Sequence, residues 1–352
     1  MKEKIFSTVR KILTALLFLV IVTALILKSE STAQGIRDGL AISGELLIPS
    51  LFPFMVASSY ATAKFSIRLP DCMGKLFKKA FKVNANGLLP FIFGITGGYP
   101  VGARTIYELY KNKQISVTES ERLFFWCVNP GAAFTITALG TNMLGSTRAG
   151  IIIYASSVLS ALTLGLVFGF FGNEEGEALP SVKKVNLNPS SDIISNATQS
   201  MLSVCGWVLC FSALSGLTKS LNIPESMLLF LQLISEITTG CRVATENSLS
   251  LPVISALTGF GGFAVICQCI PYLQLCHTQI KRFIALKVVN ATLCSFFTYL
   301  LIKIFPVSIP AGAIITPTLS CTGVHTNIVA IIMLCLMFIS LILEVDNRRK
   351  VW

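Results

Sequence analysis

Four polar clusters interrupt an otherwise apolar chain, and each holds groups able to meet a solute. The densest is Gly97-Gly98-Tyr99-Pro100, followed by Gly102 and Arg104. Glycines let a backbone bend and approach a ligand closely, and a helix starting after them would aim free amides and a positive dipole end at an anion. Arg104 would add a forked, permanently charged donor suited to carboxylate or phosphate; as an interfacial residue it would instead hold its head among lipid headgroups. Asn129-Pro130-Gly131 sits inside the charge-free run Leu123 to Thr147. An amide followed by a helix breaker frees backbone groups that line a cavity or are satisfied by neighbouring helices. The cavity is favoured because Asn290 recurs at the corresponding place in the second half of the chain. In Ser235-Glu236-Ile237-Thr238-Thr239-Gly240, Glu236 could carry a proton or cation, since ionisable groups near the membrane interior are costly and serve pathways; pairing with Arg242 at a membrane surface is an equal alternative. Gln268 follows Gly261-Gly262 in apolar surroundings, and its amide would bind a solute or tie two helices together.

Metal and catalytic chemistry have little to work with. Most of the 11 cysteines, among them Cys127, Cys205, Cys210, Cys267, Cys294 and Cys335, lie in apolar runs where Cys acts as a small hydrophobe. Cys267-x-Cys269 lacks zinc-knuckle spacing, and His277 and His325 have no companion ligands nearby, so no metal and no cofactor is expected. Glu174, Glu175 and Glu177 read as a solvated loop. There is no nucleophile elbow, H-E-x-x-H or strand-borne G-x-G-x-x-G, and no P-loop for an intrinsic ATPase. The chain is expected not to be an enzyme.

The composition explains what must position these clusters. The 352 residues are 53% hydrophobic and only 13% charged, with a mean hydropathy of +0.73. A soluble domain carries about 25% charge, so this chain is solvated mostly by lipid. The net charge of +11 therefore marks cytoplasmic loops rather than a nucleic-acid partner. Lys64, Arg68, Lys75, Lys78, Lys79 and Lys82 against Asp71 make the loop Lys64 to Lys82 cytoplasmic, as they do the N-terminus with Lys2, Lys4, Arg10 and Lys11. The tail Asp346 to Lys350 also looks cytoplasmic, whereas a count of one plus three plus three crossings would put it outside.

Charge-free runs long enough for a helix of about 20 residues are Ile12 to Leu27, Leu46 to Ala63, Val83 to Ala103, Leu123 to Thr147, Ala149 to Asn173, Ile193 to Thr218, Asn247 to Ile280, Val288 to Ile302 and Ile304 to Leu343. Val83 to Ala103 and Asn247 to Ile280 are rich in glycine and proline, which predicts re-entrant hairpins or interrupted helices. Three parallels, each offset by roughly 160 residues, predict an internal duplication: Ile48 to Phe65 with Met201 to Ser220, Gly94 to Ala103 with Ala256 to Gln268, and Glu121 to Phe134 with Lys281 to Phe296. The last spans of the two units would be Ala149 to Phe171 and about Asn327 to Leu343. The expected organisation is an anchor helix over 1–38, a first repeat over 39–172, a loop over 173–192, a second repeat over 193–345 and a tail over 346–352. Three crossings per unit would invert one copy relative to the other, so the expected fold class is all-α, a polytopic membrane protein with an inverted repeat and re-entrant or broken helices.

The segment Gly94 to Gly140 resembles the sporulation integral membrane proteins of spore-forming Firmicutes, in the nucleoside-recognition or Gate superfamily. Tyr99-Pro100, Gly102-Ala103-Arg104, Ile115-Ser116, Glu119, Glu121, Arg122 and Leu123 match the family pattern, while Gly97 replaces a small Ser and Ala132 stands where Pro is common. Ser235 to Gly240 and Gly259 to Gln268 resemble two further family elements. The resemblance implies a multi-pass sporulation permease in a cell membrane, a forespore membrane being the candidate, that moves a small anionic metabolite such as dipicolinate. A nucleoside transporter and a non-transporting scaffold of the spore envelope are the alternatives. The implied partners are a small-molecule substrate and the lipid bilayer, without nucleic acid; a homo-oligomer stays open. The substrate-site candidates are Gly97, Gly98, Tyr99, Pro100, Gly102, Arg104, Asn129, Pro130, Gly131, Glu236, Thr238, Thr239, Gly261, Gly262, Gln268 and Asn290.

Overall fold

A computed structural model describes residues 23, 26–64, 71–171, 191–220 and 224–307, which are helical with no strand among them. Most of the first span, Glu174 to Glu177, the end of the run from Ile304, the span near Asn327 to Leu343, His325 and the tail lie outside the described residues. Among the described residues, five helical stretches are long and apolar enough to cross a bilayer: Ser29–Ala63, Thr147–Phe171, Ile193–Lys219, Leu251–Leu275 and Ile280–Ile304.

The chain enters through α1 (Ser29–Ile42), a π-helical turn over Ser43–Leu47 and α2 (Ile48–Lys64). The basic loop then forms α3 (Asp71–Phe81), with Lys75, Lys78 and Lys79 exposed and Phe77 and Phe81 turned into the core. Phe81 stacks on Trp126 at 4.9 Å. Basic residues on one face and aromatics on the other are what a helix at a membrane surface needs.

Next come two short helices, α4 (Leu88–Gly97) and α5 (Tyr99–Lys111), joined by Gly98 alone. Gly98 has φ +94°, a conformation glycine adopts without penalty. The two arms fold back on each other because Gly102 meets Gly94: a Cβ on Gly102 would lie 3.0 Å from the Gly94 Cα, and both glycines face the Cys127 carbonyl. α6 (Val117–Trp126) starts with a capping box, Glu119 N–H donating to Ser116 Oγ at 3.2 Å and Ser116 N–H donating to Glu119 at 2.9 Å. Glu119 also accepts from Asn84 N–H at 2.7 Å, which ties the base of the hairpin to α6. The helix breaks at 127–131 and resumes as a π-helix over Ala133–Met143, before the long α7 (Thr147–Phe171).

The second half repeats this order. The long α8 (Ser191–Lys219) leads to a hairpin of α9 (Glu225–Ser235) and α10 (Ile237–Glu246), then a broken helix of α11 (Leu251–Phe260) and α12 (Gly262–Leu275), then the long α13 (Ile280–Ile304). α7 and α13 have 25 residues each. They join through hydroxyls rather than bulk: Thr298 Oγ1 lies 2.8 Å from Ser156 Oγ and 2.7 Å from Ser255 Oγ. Small polar residues of this kind hold membrane helices together.

This order changes the pairing expected from sequence. The counterpart of the Gly98 hairpin is the hairpin around Glu236, not the glycine-rich stretch at Gly261-Gly262. That stretch interrupts a helix whose halves diverge, and it corresponds to the break at Asn129-Pro130-Gly131. In element order α13 holds the place of α7, and the span expected near Asn327 to Leu343 lies outside the described residues. The sequence parallel failed because chemically different residues make equivalent breaks: Gly98 turns with a left-handed φ, whereas Glu236 is extended, with φ −144° and ψ 136°. The glycines that close each hairpin do correspond in role, since Gly240 lies against the Leu233 carbonyl.

Gly102→Val should force the first hairpin apart and cost about 1–3 kcal/mol, read as a lower thermal unfolding midpoint of the detergent-purified protein. Gly206→Ala, where no atom lies within 4 Å of the added Cβ, should leave that midpoint unchanged or raise it.

Candidate functional site

Each of the four interruptions leaves amides and carbonyls without helical partners, and the four lie against one another. A Cβ on Gly131 would lie 3.0 Å from the Gly98 amide nitrogen, so the first hairpin tip rests on the break of the helix that follows it. In the second unit Gly262 meets Glu236 in the same way, 3.2 Å from its Cα. The units are joined by Tyr99, whose hydroxyl donates to the Thr258 carbonyl and whose ring covers Gly261, 3.2 Å from where a Cβ would stand.

A cleft opens where the tips meet, about 620 Å³ of space when the open region at its mouth is counted in. It gathers Gly97, Gly98, Tyr99, Pro100, Pro130, Gly131, Glu236, Thr238 and Gln268 from the sequence candidates, with Ser50 and the apolar side chains of Leu51, Phe134 and Val265 among its other walls. A mostly apolar wall with a few convergent polar groups is the usual form of a small-molecule site. The polar groups have distinct states. Glu236 is buried and caps α10, accepting from the Thr238 amide at 2.9 Å and the Thr239 amide at 2.8 Å. Thr238 is 1% exposed, and its hydroxyl has no hydrogen-bond partner among the described residues. Apart from Thr96 and Gly97, the interruption residues on the wall lie at or beside helix N-termini: Gly98 to Pro100, Pro130, Gly131 and Ala133, and Glu236 to Thr238. The helix-ending Trp126, Ser235 and Phe260 are not on it.

Other candidates stand outside the cavity wall. Arg104 is 2% exposed, with Nη2 2.9 Å from Glu108 Oε1 as an ion pair. Glu108 also accepts from Ser59 at 2.8 Å and Thr62 at 2.7 Å, so Arg104 is neither at the lipid interface nor free toward a solute. Gly102 serves hairpin closure, Thr239 supplies an amide to the Glu236 cap, and Gly261 and Gly262 make the close approaches to Tyr99 and Glu236. Asn129 donates to the Trp126 carbonyl at 2.5 Å, closing the end of α6. Asn290 is a clamp between helices: it donates to the Gly259 carbonyl at 2.9 Å and accepts from Ser160 at 2.6 Å. No Glu236–Arg242 ion pair is present among the described residues.

One residue with no weight in the sequence reading lies beside the cavity. Lys287, in α13, is 3% exposed; its ammonium donates to the Val128 carbonyl and stands 4.5 Å from the centroid of the Tyr99 ring. Its signal in the sequence was a lone charge inside an otherwise apolar span.

The chain is 24% identical over 342 residues, 84% of either protein, to the sporulation integral membrane protein YlbJ of Bacillus subtilis (strain 168). This similarity supports the sporulation integral membrane protein family. No family model and no solved structure matches the chain. Several apolar helices and an integral membrane homologue make this a multi-pass membrane protein with the bilayer as its surroundings. The residues that carry the resemblance include structural ones: Glu119 makes the capping box, Arg122 donates to the Lys82 carbonyl at 2.8 Å, and Glu121 meets Arg282 at 3.3 Å.

Replacing the Glu236 carboxylate removes a helix cap, a loss of about 0.5–2 kcal/mol. Glu236→Ala should lower the thermal midpoint in detergent, with Glu236→Gln closer to wild type because its amide oxygen still accepts.

Proposed function

We propose that this protein is a sporulation-associated permease for a small anionic metabolite, dipicolinate being the candidate, acting in a membrane around the forespore. The observation that carries the reading is the cavity at the junction of four helix interruptions drawn from both units. Interrupted helices meeting between two repeated units are the arrangement in which secondary transporters hold solute near the membrane midplane. Relative movement of the units would expose the cavity to one side and then the other. The resemblance to the Gate superfamily points the same way, and transport requires no catalytic chemistry of the chain.

Charge favours an anion. The helix N-termini at Tyr99 and Ala133 each present the cavity with a partial positive charge of about half an elementary unit, while the third, at Ile237, is already occupied by the Glu236 carboxylate that caps it. The Thr238 hydroxyl and the Gln268 amide are the neutral groups available for specificity. Those same groups, in an apolar wall, favour as a second reading an uncharged hydrogen-bonding ring such as a nucleoside.

Purified full-length protein in proteoliposomes tests the proposal. Dipicolinate uptake, read by terbium luminescence, should exceed that of empty vesicles and fall at least ten-fold in the double variant Thr238→Val, Gln268→Leu at unchanged thermal midpoint. No uptake by wild type, or equal uptake by the variant, overturns the reading; uptake of uridine alone replaces it with the nucleoside one. Arg104→Ala leaves the partly buried Glu108 without its cation, so it should lower protein yield while flux per folded molecule stays within two-fold of wild type.

A further inference from the structure

Lys287 is buried, carries its charge on the most flexible of cationic side chains, and has no carboxylate within ion-pair distance among the described residues. Other buried charges have attended partners: Arg104 has Glu108, Glu119 has backbone amides and its capping box, and Glu236 has two helix amides. A lone buried charge is costly, and one kept inside a membrane protein ordinarily serves a solute or ion. The partners of Lys287 are a single peptide carbonyl, that of Val128 beside the Asn129-Pro130-Gly131 break, the face of Tyr99 and, farther off at 5.8 Å, the ring of Phe283. That leaves ammonium N–H capacity unused. Tyr99 is itself part of the cavity wall, so the same ring that carries Lys287 borders the space a solute would fill.

We propose that Lys287, and not Arg104, supplies the positive charge that selects carboxylate-bearing solutes at the cavity. The inference rests on the transport reading above and names its charge-selecting residue. Tyr99 serves as the movable partition: its ring holds the ammonium by cation–π attraction in the empty cavity, and a small rotation would bring the ammonium into reach of an anion. The helix N-termini on the wall attract negative charge generally; Lys287 adds the one mobile full charge. A neutral solute has no use for it.

Equilibrium binding of dipicolinate, with uridine as the uncharged probe, to the full chain in detergent decides the matter for wild type, Lys287→Arg, Lys287→Gln and Lys287→Met. Dipicolinate affinity should drop at least ten-fold in the Gln and Met variants and stay within about three-fold in the Arg variant, with any uridine binding unchanged. Met keeps the side-chain volume, and thermal midpoints measured alongside separate loss of charge from loss of fold. Equal dipicolinate affinity in wild type and folded Lys287→Met, or no dipicolinate binding by wild type, overturns the assignment. Binding that depends on Lys287 without any flux in proteoliposomes leaves the assignment standing and overturns only the transport reading.

Discussion

A helix that breaks inside a membrane leaves peptide groups that lipid cannot satisfy, and this constraint organises the whole protein. The breaks at Gly98, Gly131, Glu236 and Gly262 cannot face hydrocarbon, so they face each other. Gly131 against Gly98 and Gly262 against Glu236 are backbone-to-backbone contacts with no room for a side chain. Glycine at these points is therefore required by distance, and at Gly98, Gly261 and Gly262 also by a positive φ. Around the junction the long helices α7 and α13 form a rigid frame through Ser156, Thr298 and Ser255.

Electrostatics then divides the buried charges into two kinds. Arg104, with Glu108, Ser59 and Thr62, is a closed network between the first hairpin and α2; its charges are spent on each other. Breaking a fully buried pair costs about 3–5 kcal/mol and an exposed one far less, and this pair, with Arg104 buried and Glu108 partly exposed, lies between. Glu236 and Lys287 are different. Glu236 lines the cavity with its carboxylate held by amides of its own helix, and Lys287 stands behind Tyr99 with a carbonyl and the rings of Tyr99 and Phe283. The first network fixes the hairpin, while the second two charges stand at the cavity wall and behind it.

Much of this was legible in the sequence because membrane burial is a coarse, strong rule. Charge spacing located the long helices, and glycine with proline located three of the four breaks. Nine of the residues singled out by type do line the cavity. What escaped the sequence was correspondence and direction. A glycine tip and a glutamate tip do the same job by different backbone conformations, so residue similarity aligned the wrong breaks. Asn129 and Asn290 share a type and a neighbour, Val, yet one ends a helix and the other clamps Gly259 to Ser160. Arg104 followed a glycine-rich turn as an anion donor would, but its partner four residues on claimed it.

By itself the sequence determined that the chain lives in a bilayer, that its helices are interrupted, and which residue types stand at the interruptions, because hydropathy and backbone propensity are local properties. Only the tertiary structure decided which interruptions meet, which charges are already neutralised, and that a lysine from α13 reaches the carbonyl of Val128 and the ring of Tyr99. Those outcomes depend on distances between residues far apart in the chain, and close packing, unlike hydropathy, leaves no periodic trace in the order of amino acids.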